Sequence, residues 1–270
     1  MKKIKFIMQL IIVTVICCSN ILTVNAESSK VKDNTEQILE LATDFILSTG
    51  IPMDELEKMN NSTKLEIYNT FKEMRALDDD IEFKGSNQKT VSITTNKIES
   101  RNIPKEKLKF NTYSFDNHQM GRVEGFASFE WKNMPFEQLV NNDTFAFSIG
   151  EGWDILDGGH ALSLYRVDGE FIHKFTRPSE CSRYGAAYHM DTPGAKEFRL
   201  VNYGVAHFSL RPNRNIPISE LDNFISLLYI QDLSWLNIAS VSLSWGPASV
   251  SVQAPSSMFI HKAGYSGTLY

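Results

Sequence analysis

The chain is 270 residues long, with 27 Lys and Arg against 32 Asp and Glu and a hydrophobic content of 42 %. This balance excludes wholesale disorder. A pI near 5.7 argues against nucleic acid as a partner, because such domains present a basic face. Three cysteines are present, Cys17, Cys18 and Cys181, too few for the disulfide framework of a small stapled domain.

Residues 1–26 have the three-part layout of a secretory signal peptide. Lys2, Lys3 and Lys5 form the positive start, an apolar run extends from Phe6 to Cys18, and Val24-Asn25-Ala26 offers a small-residue cleavage site. Gln9, Ser19 and Asn20 dilute the run towards Val24, whereas a spanning anchor wants about 20 mostly apolar residues. The expected product is secreted, begins after Ala26, and carries 24 basic against 32 acidic residues. It keeps Cys181 alone, so no internal disulfide is available, and its 244 residues suffice to bury a core unaided.

Residues 27–77 are expected to form a helical N-terminal unit. Ile38, Leu41, Ala42 and Phe45 recur at helical spacing, Asn34 stands at a capping position, and Gly50 stops the helix. Pro52 suits the start of a short second helix. A third is expected to begin at Ser62 or Thr63, with Glu66 closing a capping box and Leu65, Tyr68 and Phe71 on one face. A unit of this size is too small to be very stable alone. It therefore either docks on the rest of the chain or serves as a pro-segment.

Residues 78–107 mix charges with Gly, Ser, Asn and Thr and are expected to be a polar linker, with TVSIT as its one strand-like piece. From Leu108 the period changes to two. In GRVEGFASFEW, Val123, Gly125, Ala127, Phe129 and Trp131 fall on one side, and Arg122, Glu124, Ser128 and Glu130 on the other. DTFAFSI, ALSLYRV, EFIHKF, KEFRLV and GVAHFSLR follow, separated by turn residues. Short strands at near-regular spacing predict an α+β protein, in which the helical unit precedes an antiparallel β-sandwich or barrel-like domain over 108–270. One further helix is expected in ISELDNFISLLYI, where Ser219 and Asp222 resemble a capping box and Leu221, Phe224 and Leu228 share a helical face.

Chemistry is sparse. The six histidines (His118, His160, His173, His189, His207 and His261) all lie in the β half, but none shows metal-ligand spacing, so no metal or other cofactor is expected. CSRYGAAYHMD sets Cys181, Arg183 and His189 close in sequence. A hairpin about Gly185 would set thiol and imidazole almost opposite one another, as a cysteine hydrolase or transpeptidase requires. No G-x-S-x-G elbow or phosphate-binding glycine loop is present. Glu151, Asp154 and Asp157 beside Trp153 form a candidate sugar site, though without the residue order of a calcium loop.

From Leu233 to Ile260 run 28 residues with no Asp, Glu, Lys or Arg. Within them VSLSWGPASVSVQA alternates apolar and polar residues about Gly246-Pro247, with Val241, Leu243 and Trp245 on one side. Such a hairpin fits a sandwich with one face on its core. An uncharged polar face also invites self-association or contact with a partner surface. Leu236 to Trp245 matches the 9–11 residues of a spanning strand, but the return arm ends at Pro255 and is short. The leading expectation is a secreted, non-enzymatic β-sandwich that binds a protein, a glycan or a membrane surface, with Trp153, Asp154, Asp157 and Trp245 as candidate binding residues. The alternatives are a pore-forming or antimicrobial toxin using the hairpin, and a hydrolase using Cys181, His189 and Arg183.

Overall fold

The period-two segments pair into two antiparallel sheets in the computed structural model, which describes residues 35–92, 94–95, 107–132, 142–166, 169–190, 201–213, 223–232, 240–244, 249–253 and 260–269. The first sheet contains β1 (Ile81–Ser92), β3 (Lys107–Asn117), β4 (Arg122–Trp131), β6 (Trp153–Arg166), β7 (Phe171–Phe175) and β10 (Val201–Pro212), in the order β1-β3-β4-β10-β6-β7. The second contains β2 (Thr94–Thr95), β5 (Asn142–Ile149), β8 (Glu180–Ser182), β9 (Gly185–His189), β11 (Phe224–Asp232) and β14 (Ile260–Thr268), in the order β2-β14-β11-β5-β9-β8. The signal-peptide segment, the Asn34 cap, the Ser219 and Asp222 pair, residues 96–106 and Trp245 lie outside the described residues.

The expected alternation decides what the two sheets share. Val123, Ala127, Phe129 and Trp131 of β4 are buried against Phe145, Phe147 and Ile149 of β5. Phe147 stacks on Phe208 with ring centroids 4.5 Å apart, and Phe129 meets the edge of Tyr229 at 4.7 Å. Gly125 belongs to the same row because nothing larger fits: a Cβ there would come within 2.1 Å of the Phe208 ring.

The opposite face of the first sheet is not left to water. Helices α1 (residues 35–48), α2 (Met53–Lys58) and α3 (Asn61–Glu73) lie over it. Ile46, Leu56, Ile67 and Phe71 share a second core with Phe115, Phe126, Tyr203 and Val205 of the sheet. Polar bonds pin the contact, since the Tyr165 hydroxyl donates to Glu66 Oε2 at 2.6 Å and Thr63 bonds the Tyr203 hydroxyl. Burial pushes the Tyr203 phenol up to about 12.

Several local expectations change. Leu41 is 54 % exposed, while Ala42 and Ile46 are fully buried. The Phe83 N–H donates to the Thr49 carbonyl at 2.8 Å, tying the residue after α1 to β1. In α3 the cap is Asn60, whose Oδ1 accepts from the Thr63 N–H at 2.8 Å. Glu66 therefore does not close a box with Thr63 but is buried against Tyr165. β1 begins at Ile81, well ahead of TVSIT, because Ile81 and Phe83 pack into the second core and the whole strand pairs with β3.

The helix expected at ISELDNFISLLYI is instead β11 over Phe224–Asp232, a central strand between β14 and β5. Its run is apolar on both sides because both faces are buried, and such a run carries no period that separates strand from helix. Ile225, Leu227 and Tyr229 join the sandwich core. The register carries Leu228, Ala146 and Ala187 as one row on the outer face, and Ile230, Thr144 and His189 as the next.

Over that outer face lies the C-terminal hairpin. β12 (Ser240–Ser244) and β13 (Ser249–Gln253) pair with each other in their own two-stranded sheet, against β5, β8, β9 and β11. The expectation that the hairpin completes a sandwich sheet is thus corrected, since it covers a sheet rather than extending one. The covered row contains Ala146 and Ala187, both fully buried, small enough for a second backbone to approach closely.

α3 ends in a Schellman motif. The Ala76 N–H donates to the Phe71 carbonyl at 2.9 Å and the Arg75 N–H to the Lys72 carbonyl at 3.0 Å, with Arg75 held at φ 56°. A side chain there costs about 1 kcal/mol relative to glycine. Arg75→Gly is expected to raise the urea unfolding free energy by about that amount, and Phe71→Ala to lower it by about 3–5 kcal/mol. Equal and small effects of the two changes would show that the helices are not integral to the fold.

Candidate binding cleft

The helical cover stops short of one end of the first sheet. On β10, Tyr203 and Val205 lie beneath the helices, and the same strand face continues as His207, Ser209 and Arg211. On β4, Phe126 is covered, and the face continues as Glu124 and Arg122. A cleft of about 630 Å³ opens there, bounded by Thr70 and Glu73 of α3 and Met74 just after it, by Lys174 and Thr176, and by a bulge of β6.

The bulge is wide. Phe208 of β10 pairs with His160 and Leu210 pairs with Ile155, so residues 156–159 form an extra loop within β6. Gly158 permits it at φ 72°, and Gly159 lies so close to Ser209 that a Cβ would stand 3.0 Å from that side chain. Bulges of this kind re-aim side chains beside functional sites. Here the loop turns Asp157 out to the cleft rim, where it is exposed.

Glu124 lies beneath the cleft with no exposed surface. Its Oε2 accepts from His207 Nε2 at 2.7 Å and from Ser209 Oγ at 2.6 Å, and its Oε1 pairs with Arg122 Nε. Burial alone would raise the carboxyl's pKa, but His207, Ser209 and Arg122 outweigh it and hold the group below the ordinary glutamate range. A buried carboxylate costs several kcal/mol unless so satisfied. Arg122 also reaches Met74 Sδ through Nη2 at 2.9 Å. Lys174 is braced by Glu73 at 3.0 Å and Glu66 at 3.5 Å; burial works against its charge, yet the two carboxylates hold its pKa above the ordinary value.

This arrangement is not a nucleophile with its base. Ser209 and His207 both bond the same carboxylate oxygen, so the imidazole does not receive the serine proton as a triad demands. His160, which also lines the cleft, meets the Tyr188 hydroxyl through Nδ1 at 3.3 Å, and burial lowers its pKa.

Of the residues singled out from sequence, Asp157, His160 and His207 line the cleft, while Cys181, Arg183, His189, Trp153 and Asp154 sit elsewhere. Cys181 is exposed on the edge strand β8 and pairs with Ala186, across a turn at Arg183 and Tyr184. His189 lies three positions beyond that pair, on the opposite strand face, where its Nδ1 and the Thr144 hydroxyl share a 2.7 Å hydrogen bond. Burial lowers its pKa. The turn falls before Gly185 rather than around it, so the expected facing of Cys181 and His189 is corrected. Arg183 stacks over the Tyr184 ring at 4.6 Å. Trp153 is buried in the sandwich core and Asp154 is half-buried beside it on β6, so the indole is no platform for a sugar. Among the described residues, no group of three His, Cys, Asp or Glu is placed to hold a metal ion, and no helix is long and apolar enough to cross a membrane.

The fold is thus an antiparallel β-sandwich with helices on its N-terminal side. No protein-family model and no curated protein matches the chain. Among solved structures it is similar to the KRT10-binding region domain of the pneumococcal serine rich repeat protein PsrP, at 8 % identity over 54 % of this chain and 87 % of that one, with a TM-score of 0.26. It is also similar to a pore forming protein, at 8 % identity over 70 % and 96 % of the two chains, with a TM-score of 0.28.

The Glu124 network makes stability depend on pH. Because its folded pKa is lowered, the network's contribution is complete above the ordinary glutamate value of about 4.3 and is lost as pH falls through the folded value. Glu124→Gln is expected to cost about 3 kcal/mol at pH 7 and to flatten the acid limb of the stability profile measured by urea unfolding. An unchanged acid limb would contradict this assignment.

Proposed function

We propose that the protein is exported and works by binding rather than by catalysis, with the cleft beside α3 as its recognition site. The observation that carries this reading is the fully buried Glu124, with Arg122, His207 and Ser209 fixed around it, under a polar concavity at one end of the helical cover. Such an arrangement orients donors and acceptors toward a ligand at a cost in stability that plain apolar packing would avoid. The absence of a Ser–His or Cys–His relay at Ser209 or Cys181 supports binding over acyl transfer. Export is supported by the signal-peptide layout of residues 1–26 and by cleavage expected after Ala26. The purified mature chain is expected to leave peptidoglycan, glycan and peptide substrates unchanged. Turnover abolished by His207→Ala or Cys181→Ala would overturn the non-enzymatic reading.

A second reading attaches to the C-terminal hairpin. An isolated two-stranded hairpin is marginal in water, and among the described residues β12–β13 pairs with no strand of either sheet, so its place depends on the face it covers. A hairpin without charge that can leave that face has membrane surfaces or a second copy of the chain as natural partners. Dye release from liposomes, lost when Val250→Lys places a charge in β13, would favour this reading. Intact liposomes across lipid compositions and pH would remove it.

A further inference from the structure

We propose that the cleft takes a neutral, hydroxyl-rich ligand, a saccharide, an assignment that rests on the cleft being the recognition site. Charge decides against an anion. Arg122, Lys174 and Arg211 approach the cleft from three strands, but Glu124 pairs with Arg122, Glu66 and Glu73 pair with Lys174, and Asp157 adds a further negative charge on the rim. The C-terminal end of α3 adds a partial negative charge, so phosphate or carboxylate meets no positive surplus. The lining argues against a wholly apolar ligand, because Thr70, Thr176, Ser209 and the charged side chains stand among Leu156, Met74 and Ala161.

What the cleft offers is unused hydrogen-bonding capacity of both kinds. Thr70 Oγ1 is buried in the α3 wall with no hydrogen-bond partner among the described residues. A helical threonine ordinarily spends this hydroxyl on the carbonyl one turn back. Asp157 on the bulge presents an acceptor, and Arg211 on β10 a planar set of donors; both are exposed and neither has an ion-pair partner among the described residues. The Thr176 hydroxyl stands on the same rim. Each hydroxyl of a sugar both donates and accepts, so interleaved donors and acceptors of this kind match it, whereas a purely accepting anion leaves Asp157 opposed. Met74 and Leu156 supply the small apolar surface that the C–H face of a sugar ring requires. The volume of about 630 Å³ lies within the range of sites for small ligands. Beneath the ligand, Arg122 and His207 are held by Glu124 and Lys174 by Glu73, so these groups are set in place before binding.

The test is a glycan array carrying neutral and acidic structures, probed with the mature chain and with Asp157→Ala, Arg211→Ala and Thr70→Val, and followed by calorimetry on the glycans retained. Inorganic phosphate and citrate serve as anion probes. The expected result is retention of a set of neutral glycans, weakened at least tenfold by each variant, with unfolding temperatures close to that of the parent for the two exposed positions. Binding confined to acidic glycans, phosphate or citrate and lost in Arg211→Ala would keep the cleft as a site but overturn the ligand class. No binding of any probe, or glycan binding indifferent to all three substitutions, would overturn the ligand class and the cleft together.

Discussion

Each sheet of this protein carries buried apolar side chains on both faces, and such a sheet needs two partners. The sandwich core satisfies one face of each through Phe129, Phe147, Phe208 and Tyr229. The outer face of the first sheet, with Phe115, Phe126, Tyr203 and Val205, is met by Ile46, Ile67 and Phe71 of the helices. The outer face of the second, with Ala146, Ala187 and Leu228, is met by the hairpin β12–β13. The result is four layers in which the outer two exist to bury what the inner two leave over.

The two covers differ in how they are held. The helical cover shares a core with the sheet and adds buried polar bonds at Tyr203 and Tyr165. Among the described residues the hairpin adds no strand pairing to the sheet beneath it. The cleft arises where the helical cover ends. Arg75 turns the chain away from α3, β6 bulges at residues 156–159, and one strand face of β4 and β10 changes from aromatic and aliphatic residues to Glu124, His207, Ser209 and Arg211. Residue type thus follows cover, and the polar set begins where the apolar partner stops.

The sandwich was legible in the sequence because alternation reports one buried face faithfully: Val123, Ala127, Phe129 and Trp131 face the core as their spacing requires. The other face was not legible in the same way. Alternation marks Glu124 as solvent-facing, whereas Arg122 on its own strand and His207 and Ser209 on β10 close over its carboxylate, a strand pairing that no local pattern records. The clue present was that Arg122, Glu124, His207, Ser209 and Arg211 recur at period two on two strands, a charged and titratable set that pairing makes adjacent. β11 is illegible for the converse reason, since burial on both faces erases its period. Cys181 and His189 are close in sequence, but facing depends on where the turn falls, and a turn at Arg183 and Tyr184 sends them to opposite sides.

Native-state hydrogen exchange, resolved by residue, tests the central claim that the helical cover and the first sheet form one cooperative body with the cleft at its margin. The account predicts that the amides of α3 from Ile67 to Phe71 exchange with the same opening free energy as those of β4 and β10, while amides of β12 and β13 exchange sooner. Exchange of α3 several kcal/mol ahead of β10, with the sheet still protected, would contradict it, because the cleft would then lose a wall without the fold being lost.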